Sequence, residues 1–438
     1  AMIMFFNNRS KHQTTSGANI FFVDANVFVQ TKNVVKTRAK ALGIDIEIGN
    51  WNTFVPNEKY FGTLIQYPDS TGEINDYKHF VQKVHESGAL VCVAADLLSL
   101  TQLVPPGEWG ADVAVGSTQR FGLPMAYGGP HAGFFATTND FTRKIPGRII
   151  GKTIDAQGNP ALRMALQTRE QHIKREKATS NICTSQALLA NMSGMYAVYH
   201  GKEGLQSISG NITKLAKTLY ESAMALGYTI ITKNFFDTIT INVDNSLLFK
   251  VKGVAEQHNI NLFYGNNTIG ISLDEATTEN DVDTLIEILA KAQGVAPKKV
   301  ASSTNGFGSS FSRKSDFLKA KVFNSYRTET GVMRYIKSLE NKDLSLVHGM
   351  IPLGSCTMKL NAASEMIPLG WEEFGNVHPF APKEQVQGYE FVVIELSKML
   401  CNITGFSGLS FQPNSGASGE YAGLLVIRAY HASNDQGL

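Results

Sequence analysis

Short apolar runs alternate with helical periodicities through the first 155 residues. Ile20–Val23 (IFFV) reads as a buried strand, Val34–Leu42 as a helix, Asp45–Ile48 and Thr63–Tyr67 as strands, and Tyr77–Ser87 as a second helix. Ala89–Ala94 (ALVCVA) is a continuous apolar strand that ends near Asp96; Ala111–Val115 and Gly133–Thr137 follow as further strands. Strands that are apolar along their whole length, separated by helices, predict a mainly parallel sheet covered on both faces. In such sheets ligands gather at the carboxyl ends of the strands. That gives weight to Asp24, Asp96 and Gln119, each just past a strand end.

The pattern then changes. The stretch LQTREQHIKREKATSNICT is dense in charge and hydroxyls and leads into a long helical pattern from Ser185. Over 228–293, Thr238–Val243 alternates like a half-buried strand, Phe249–His258 is helical and Thr268–Ser272 is a strand. Thr278 and Asp281 form a capping box ahead of Val282, Leu285, Ile286 and Leu289. This is a small α/β unit. Residues 295–314 (VAPKKVASSTNGFGSSFSRK) are Ser/Gly-rich and basic and read as a linker. Beyond it lie a helix around Glu329–Leu339, a Gly/Pro-punctuated segment from Met350 to Asn361, a helix over Tyr389–Asn402, and an apolar run at Leu409–Phe411 that reads as a strand.

That last run opens FQPNSGASGEYAG, in which Ser415, Gly416, Ala417, Ser418 and Gly419 precede a helical pattern through Tyr421, Leu424, Leu425 and Ile427. Strand, small-residue turn and helix together offer backbone N–H groups and a positive helix end to a phosphate. The stretch has no P-loop lysine and does not fit GxGxxG. Taken alone it is also compatible with a tight turn that binds nothing.

Composition narrows the rest. The chain has 438 residues, 43% hydrophobic and 18% charged, with a net charge of +2. That is an ordinary globular balance with two to three domains as the prior, and it gives no argument for nucleic acid or an anionic membrane as partner. No apolar run reaches the ~18–20 residues of a membrane span. The opening AMIMFF has no basic segment before it and no cleavage site, so it reads as a core helix already under way rather than a signal peptide. Cys92, Cys183, Cys356 and Cys401 are scattered without a CxxC pair, which suggests neither zinc nor a disulfide framework and makes a reducing, cytoplasmic setting the default.

Two further segments carry candidate chemistry. HGMIPLGSCTMKLN, 348–361, gathers Ser355, Cys356, Thr357 and Lys359 on an irregular segment: a pocket wall, or a buried arm. No base can be assigned to make Cys356 a nucleophile, and His348 and His378 lack metal-ligand spacing. GSTQRFGLPMAYGGPHAG, 116–133, follows a strand and would place Gln119 and Arg120 at its end, unless the loop is only structural.

IPLGSCTMKLNA, NVHPFAP, FQPNSGASGEYAGL, REKATSNICTSQALLANM and RFGLPMAYGGPHAGFF together resemble the P-protein family of the glycine cleavage system. The resemblance runs over essentially the whole chain and implies fold type I architecture of the pyridoxal 5′-phosphate (PLP) enzymes, with a large parallel sheet and a smaller α/β domain, incomplete at both ends. Members of the family consist of two related halves. On that pattern 1–155 is the large domain of the first half, 156–294 its connecting helices and small domain, 295–314 a linker, and 315–438 the arm and opening of the second half. The strand–helix at 411–432 would then either stand in for the absent opening of the first-half sheet or, the more conservative expectation, belong to a piece cut from a larger assembly.

The resemblance also implies a chemistry. The family decarboxylates glycine and passes the aminomethyl group to the lipoyl arm of the H-protein, without a metal. Its cofactor is held as a Schiff base by a lysine in an HKTF motif, which this sequence lacks. The shared proline and GGP put Gln119 at the equivalent first-half position, and an amide cannot form an imine. The first half is then a degenerate, structural half. The chain on its own is expected to be inactive and to hold no cofactor covalently. Asp96 lies one or two residues out of register with the family's pyridine partner. Ser415, Gly416, Ala417, Ser418 and Gly419 are the implied phosphate contacts, with Thr179 and Ser180 as further candidates. Ser355, Cys356 and Thr357 are the implied glycine-pocket wall. Lys177 and Lys359 sit in no lysine-like motif. A homodimer, a cytoplasmic location (mitochondrial in a eukaryote), and the absence of nucleic acid or membrane partners complete the expectation. The rivals are another fold type I enzyme, such as a decarboxylase or aminotransferase, and a non-catalytic scaffold.

Overall fold

A computed structural model describes residues 1–129, 132–178, 186–302, 304–342, 348–349, 362–413 and 415–436. They form two compact units. The first comprises Ala1–Phe121, Gly133–Asn139 and Gly194–Leu339; the second comprises Gly122–Ala132, Asp140–Ser193 and Glu340–Leu438.

The first unit is built on a six-stranded sheet of β1 (Ile20–Asp24), β2 (Asp45–Gly49), β3 (Tyr60–Tyr67), β4 (Leu90–Ala95), β5 (Val113–Ser117) and β6 (Gly133–Thr137), in the order β2-β1-β3-β4-β5-β6. The first five strands run parallel and β6 pairs antiparallel with β5. All eight residues of β3 are buried, as the apolar pattern requires of a central strand covered on both faces. The helix Met2–Asn7 buries Met2, Met4 and Phe5. The helix Val29–Lys40 starts five residues before its apolar periodicity does, because its first turns face solvent and only Ala39 is buried.

A second sheet in the same unit has the order β11-β12-β10-β9, with β9 Thr229–Ile230, β10 Thr238–Asn242, β11 Phe263–Tyr264 and β12 Thr268–Ser272. The helices Asn245–Gln257 and Glu279–Gln293 accompany it, the latter opened by the Thr278–Asp281 capping box. Val93, Leu103, Leu219, Phe235, Ile241 and Leu289 belong to one continuous core that joins both sheets. The long helical stretch Ala187–Ala225 is broken at Gly201, whose φ of 57° and ψ of −169° interrupt the ladder. Its buried Ser209 accepts from Thr101 Oγ1 at 2.7 Å and Gln102 Nε2 at 2.9 Å. Residues 295–314 contain no helix or strand among those described, and lie along this unit. Val300 N–H donates to Ser222 Oγ at 2.9 Å, and Val104 N–H to Phe311 O at 2.8 Å.

One surface pair gives this unit a pH signature. His85 Nε2 lies 2.8 Å from Asp112 Oδ2, which also accepts Val91 N–H at 2.7 Å. The hydrogen bond to Asp112 raises the His85 pKa above its usual value. A histidine raised in the folded state stabilises most fully below its unfolded pKa of about 6.5 and loses that contribution as pH rises through the folded value. Thermal melts of the parent and His85→Gln are therefore expected to differ at pH 5.5, parent higher, and to converge by pH 9.

The second unit holds a hairpin of β7 (Ile149–Ile154) and β8 (Pro160–Ala165), which the sequence reading did not propose, and the helices Gln387–Thr404 and Gly416–Ser433. The strand expected at Leu409–Phe411 is not formed. A strand exists only by pairing, and no described edge pairs with these residues; Leu409 and Phe411 are about two-fifths exposed. The expectation that 411–432 completes the first sheet does not hold: among the described residues that sheet consists of β1–β6. Among the described residues no helix is long and apolar enough to cross a membrane.

Candidate functional site

The carboxyl ends of β1, β3, β4 and β5 carry a row of acidic residues and one arginine. Asp24, the last residue of β1, is buried and accepts Trp51 N–H at 3.0 Å and Asn26 N–H at 3.2 Å. Burial pushes its carboxyl up, against those two bonds. Asp69, beyond β3, accepts from Asn26 Nδ2 at 3.0 Å and from Thr71 and Glu73 N–H groups. Both carboxylates are spent on fixing turns.

The next pair of strands differs. Asp96 follows β4, and Gln119 and Arg120 follow β5, its parallel neighbour. Gly116 makes that approach possible: a Cβ there would meet the Ala95 carbonyl oxygen and the Phe134 ring. Asp96 Oδ1 accepts Leu98 N–H at 3.0 Å. Its Oδ2 accepts from Arg120 Nη1 at 2.8 Å, and the same Nη1 donates to Asp237 Oδ2, just ahead of β10. Asp237 Oδ1 accepts from Thr238 Oγ1 at 2.9 Å. Burial works against the Arg120 cation, but Asp96 and Asp237 outweigh it and bind its proton more tightly than water would. Burial raises the Asp96 carboxyl, and Arg120 draws it back. The guanidinium also lies 5.5 Å from the Phe236 ring centroid. Beside it, Tyr196 donates to Glu275, whose neighbour Asp274 adds further negative charge.

Sequence reasoning named Asp96, Gln119 and Arg120 but missed Asp237. Its partner is 117 residues away, and the only local signal is an aspartate between a buried Phe235–Phe236 pair and a strand. Gln119 is half-buried, with its N–H donating to Ser117 Oγ at 3.1 Å. These residues do not fit a cofactor held as an imine: the amide of Gln119 offers no amine, and the Asp96 carboxylate already holds a guanidinium.

The second unit places the small-residue turn at the start of an eighteen-residue helix. Ser415 is its N-cap, with Oγ accepting Ser418 N–H at 3.1 Å and its own hydroxyl directed at Ser418 Oγ, 2.9 Å away. Gly419 N–H bonds Ser415 O at 2.9 Å. That leaves the N–H groups of Gly416 and Ala417 without an acceptor among the described residues. A Cβ at Gly416 or Gly419 would meet nothing within 4 Å. Two unpaired N–H donors in open space at a positive helix end suit a phosphate. In the same unit, Tyr127 N–H donates to Val377 O at 2.8 Å and its ring lies 4.6 Å from that of Tyr389, so the GGP loop is seated on the NVHPFAP segment. His378 there accepts Phe380 N–H at its Nδ1, 3.0 Å away. No group of three or more possible metal ligands occurs among the described residues. Thr179, Ser180, Ser355, Cys356, Thr357 and Lys359 lie outside them.

Known proteins resemble this chain over most of its length. The sequence model of the glycine cleavage system P-protein family matches residues 1–289. The glycine dehydrogenase (decarboxylating) of Nostoc punctiforme is 52% identical over 96% of this chain and 44% of its own length. That of Vibrio parahaemolyticus is 52% identical over 98% of this chain and 45% of its own. A crystal structure of a glycine decarboxylase (P-protein) of the glycine cleavage system, in inhibitor-bound form, superposes with a TM-score of 0.57 and 31% identity, covering 64% of this chain and 67% of that one. The chain thus spans under half the length of the curated relatives it matches.

Proposed function

We propose, on the premise that the chain belongs to the glycine cleavage system P-protein family, that the protein carrying it decarboxylates glycine with PLP and passes the aminomethyl group to the lipoyl arm of an H-protein. The family match carries this reading. Within it the two units contribute differently. Gly416 and Ala417 donate backbone N–H groups to the cofactor phosphate, at the positive end of their helix, with Ser415, Ser418 and Gly419 shaping the cradle. Ser355, Cys356 and Thr357 are the proposed glycine-pocket wall, with Thr179 and Ser180 as further contacts. When bound, PLP supplies a protonated ring that takes up the electron pair left as CO₂ departs. The lysine that holds it is no residue of this chain: Gln119 occupies the corresponding loop, and the first half serves as structure. A homodimer of the whole protein is part of the same proposal.

The test uses the intact protein reconstituted with PLP. It is expected to exchange the carboxyl carbon of glycine with labelled bicarbonate, to respond to lipoylated H-protein, and to leave alanine and serine unchanged. Exchange with a larger amino acid, or transamination of one, would replace this reading with that of another fold type I enzyme.

A further inference from the structure

We infer that the site at the ends of β4 and β5 is a converted pocket rather than a vacated one, with Arg120 as its permanent internal cation, clamping Asp96 of the large sheet to Asp237 of the four-stranded sheet. The placement is that of a ligand: adjacent parallel strands, carboxyl ends, where an open α/β sheet keeps its binding crevice. The chemistry is that of a ligand too, because Arg120 is the only cation among the described residues paired with either carboxylate. Its Nη2 is buried and has no hydrogen-bond partner among the described residues. Its reach from one sheet to the other ties together two elements that share one core.

The inference rests on the reading of Gln119 as the lysine-equivalent position, and it deepens that reading. Losing the lysine would by itself leave an empty pocket with an unpaired Asp96. A guanidinium in that place neutralises Asp96 and occupies its hydrogen-bonding edge. Restoring an amine at 119 then does not restore a site.

Two measurements on the intact protein decide this. In the first, Gln119→Lys is incubated with PLP, reduced with borohydride and mapped by peptide mass spectrometry. The pyridoxyl group is expected elsewhere in the protein and not on residue 119; stoichiometric label at 119 overturns the inference. Absence of label everywhere in the protein would count against the proposed function instead, and the second measurement then decides alone. There, Arg120→Met is expected to lower the melting temperature of the first unit by about 6–15 °C at pH 7.5. The groups left facing one another are Asp96, Asp237, Asp274, Glu275 and Tyr196. Burial raises the Asp96 carboxyl and the guanidinium no longer draws it back, so the deficit is expected to shrink as pH falls from 7.5 to 5, and Asp237→Asn is expected to recover part of it at pH 7.5. A deficit that is pH-independent and additive with Asp237→Asn marks ordinary packing loss and overturns the inference, as does a neutral Arg120→Met.

Discussion

Gly116→Val is expected to leave the first unit without a cooperative thermal transition, and Gly116→Ala to cost about 3 kcal/mol. The reason is a close approach rather than a special backbone angle. Gly116 lies on β5 directly after Val115, which pairs with Ala94 on β4, and it pairs with Phe134 on β6. A Cβ there meets the Ala95 carbonyl oxygen on one side and Phe134 Cε1 at 2.5 Å on the other. Neither can yield cheaply: one is backbone in a parallel ladder, and the other is an aromatic ring packed against the unit's core. An alanine forces the two strand ends apart by a fraction of an ångström. A valine adds two further methyl groups at the same crowded position. Against a total stability of about 5–15 kcal/mol the second substitution is not survivable. Gly253→Ala is the control. It lies in the helix Asn245–Gln257 with nothing within 4 Å of its Cβ, so it is expected to be neutral or to stabilise by up to about 1 kcal/mol. Thermal and urea melts of the three variants check this. A Gly116→Ala protein as stable as Gly253→Ala would show that β4 and β5 do not approach as described.

The same neighbourhood shows what a sequence can and cannot disclose. β6 was legible to the residue, because GFFAT is short, apolar and bounded by turn residues. The Thr278–Asp281 capping box was legible because its chemistry is local. Asp96 and Arg120 were legible as strand-end polar residues. Asp237 was not, since an ion pair between two sheets leaves no mark in either segment. The β7–β8 hairpin was missed although signals existed. Asp155 caps its own turn by accepting Gln157 and Asn159 N–H groups at 2.9 and 2.8 Å, and Gly158 supplies φ of +86°. The period-two pattern is weak, however: Ile150, Lys152 and Ile154 share the exposed face, and Ile149, Gly151 and Thr153 the half-buried one. The strand expected at 409–411 failed for the opposite reason. The local pattern was right for a strand, but a strand also needs a neighbour, and pattern alone cannot supply one.

The cradle yields the other large effect. Ala417→Asp is expected to weaken PLP binding by the intact protein at least about 100-fold without lowering its melting temperature in the absence of cofactor. The two halves of that expectation come from one electrostatic fact. At the second position of the helix Gly416–Ser433, a carboxylate faces the positive helix end and stabilises it by about 0.3–1 kcal/mol. A phosphate seeks the same end. Two unit negative charges about 5 Å apart repel by roughly 3 kcal/mol at an effective dielectric of 20, and 1.4 kcal/mol is a factor of ten in affinity. The added charge therefore helps the fold and excludes the ligand. Ser415→Ala separates the two effects in the other direction. It removes the cap on Ser418 N–H and costs about 1 kcal/mol of helix stability, yet leaves the N–H groups of Gly416 and Ala417 in place, so affinity is expected to fall by less than tenfold. Fluorescence titration with PLP at two salt concentrations, beside melts of the unloaded proteins, distinguishes these outcomes. The loss in Ala417→Asp is expected to lessen as salt screens the repulsion. A PLP affinity within twofold of the parent in Ala417→Asp would remove residues 415–419 from the phosphate site.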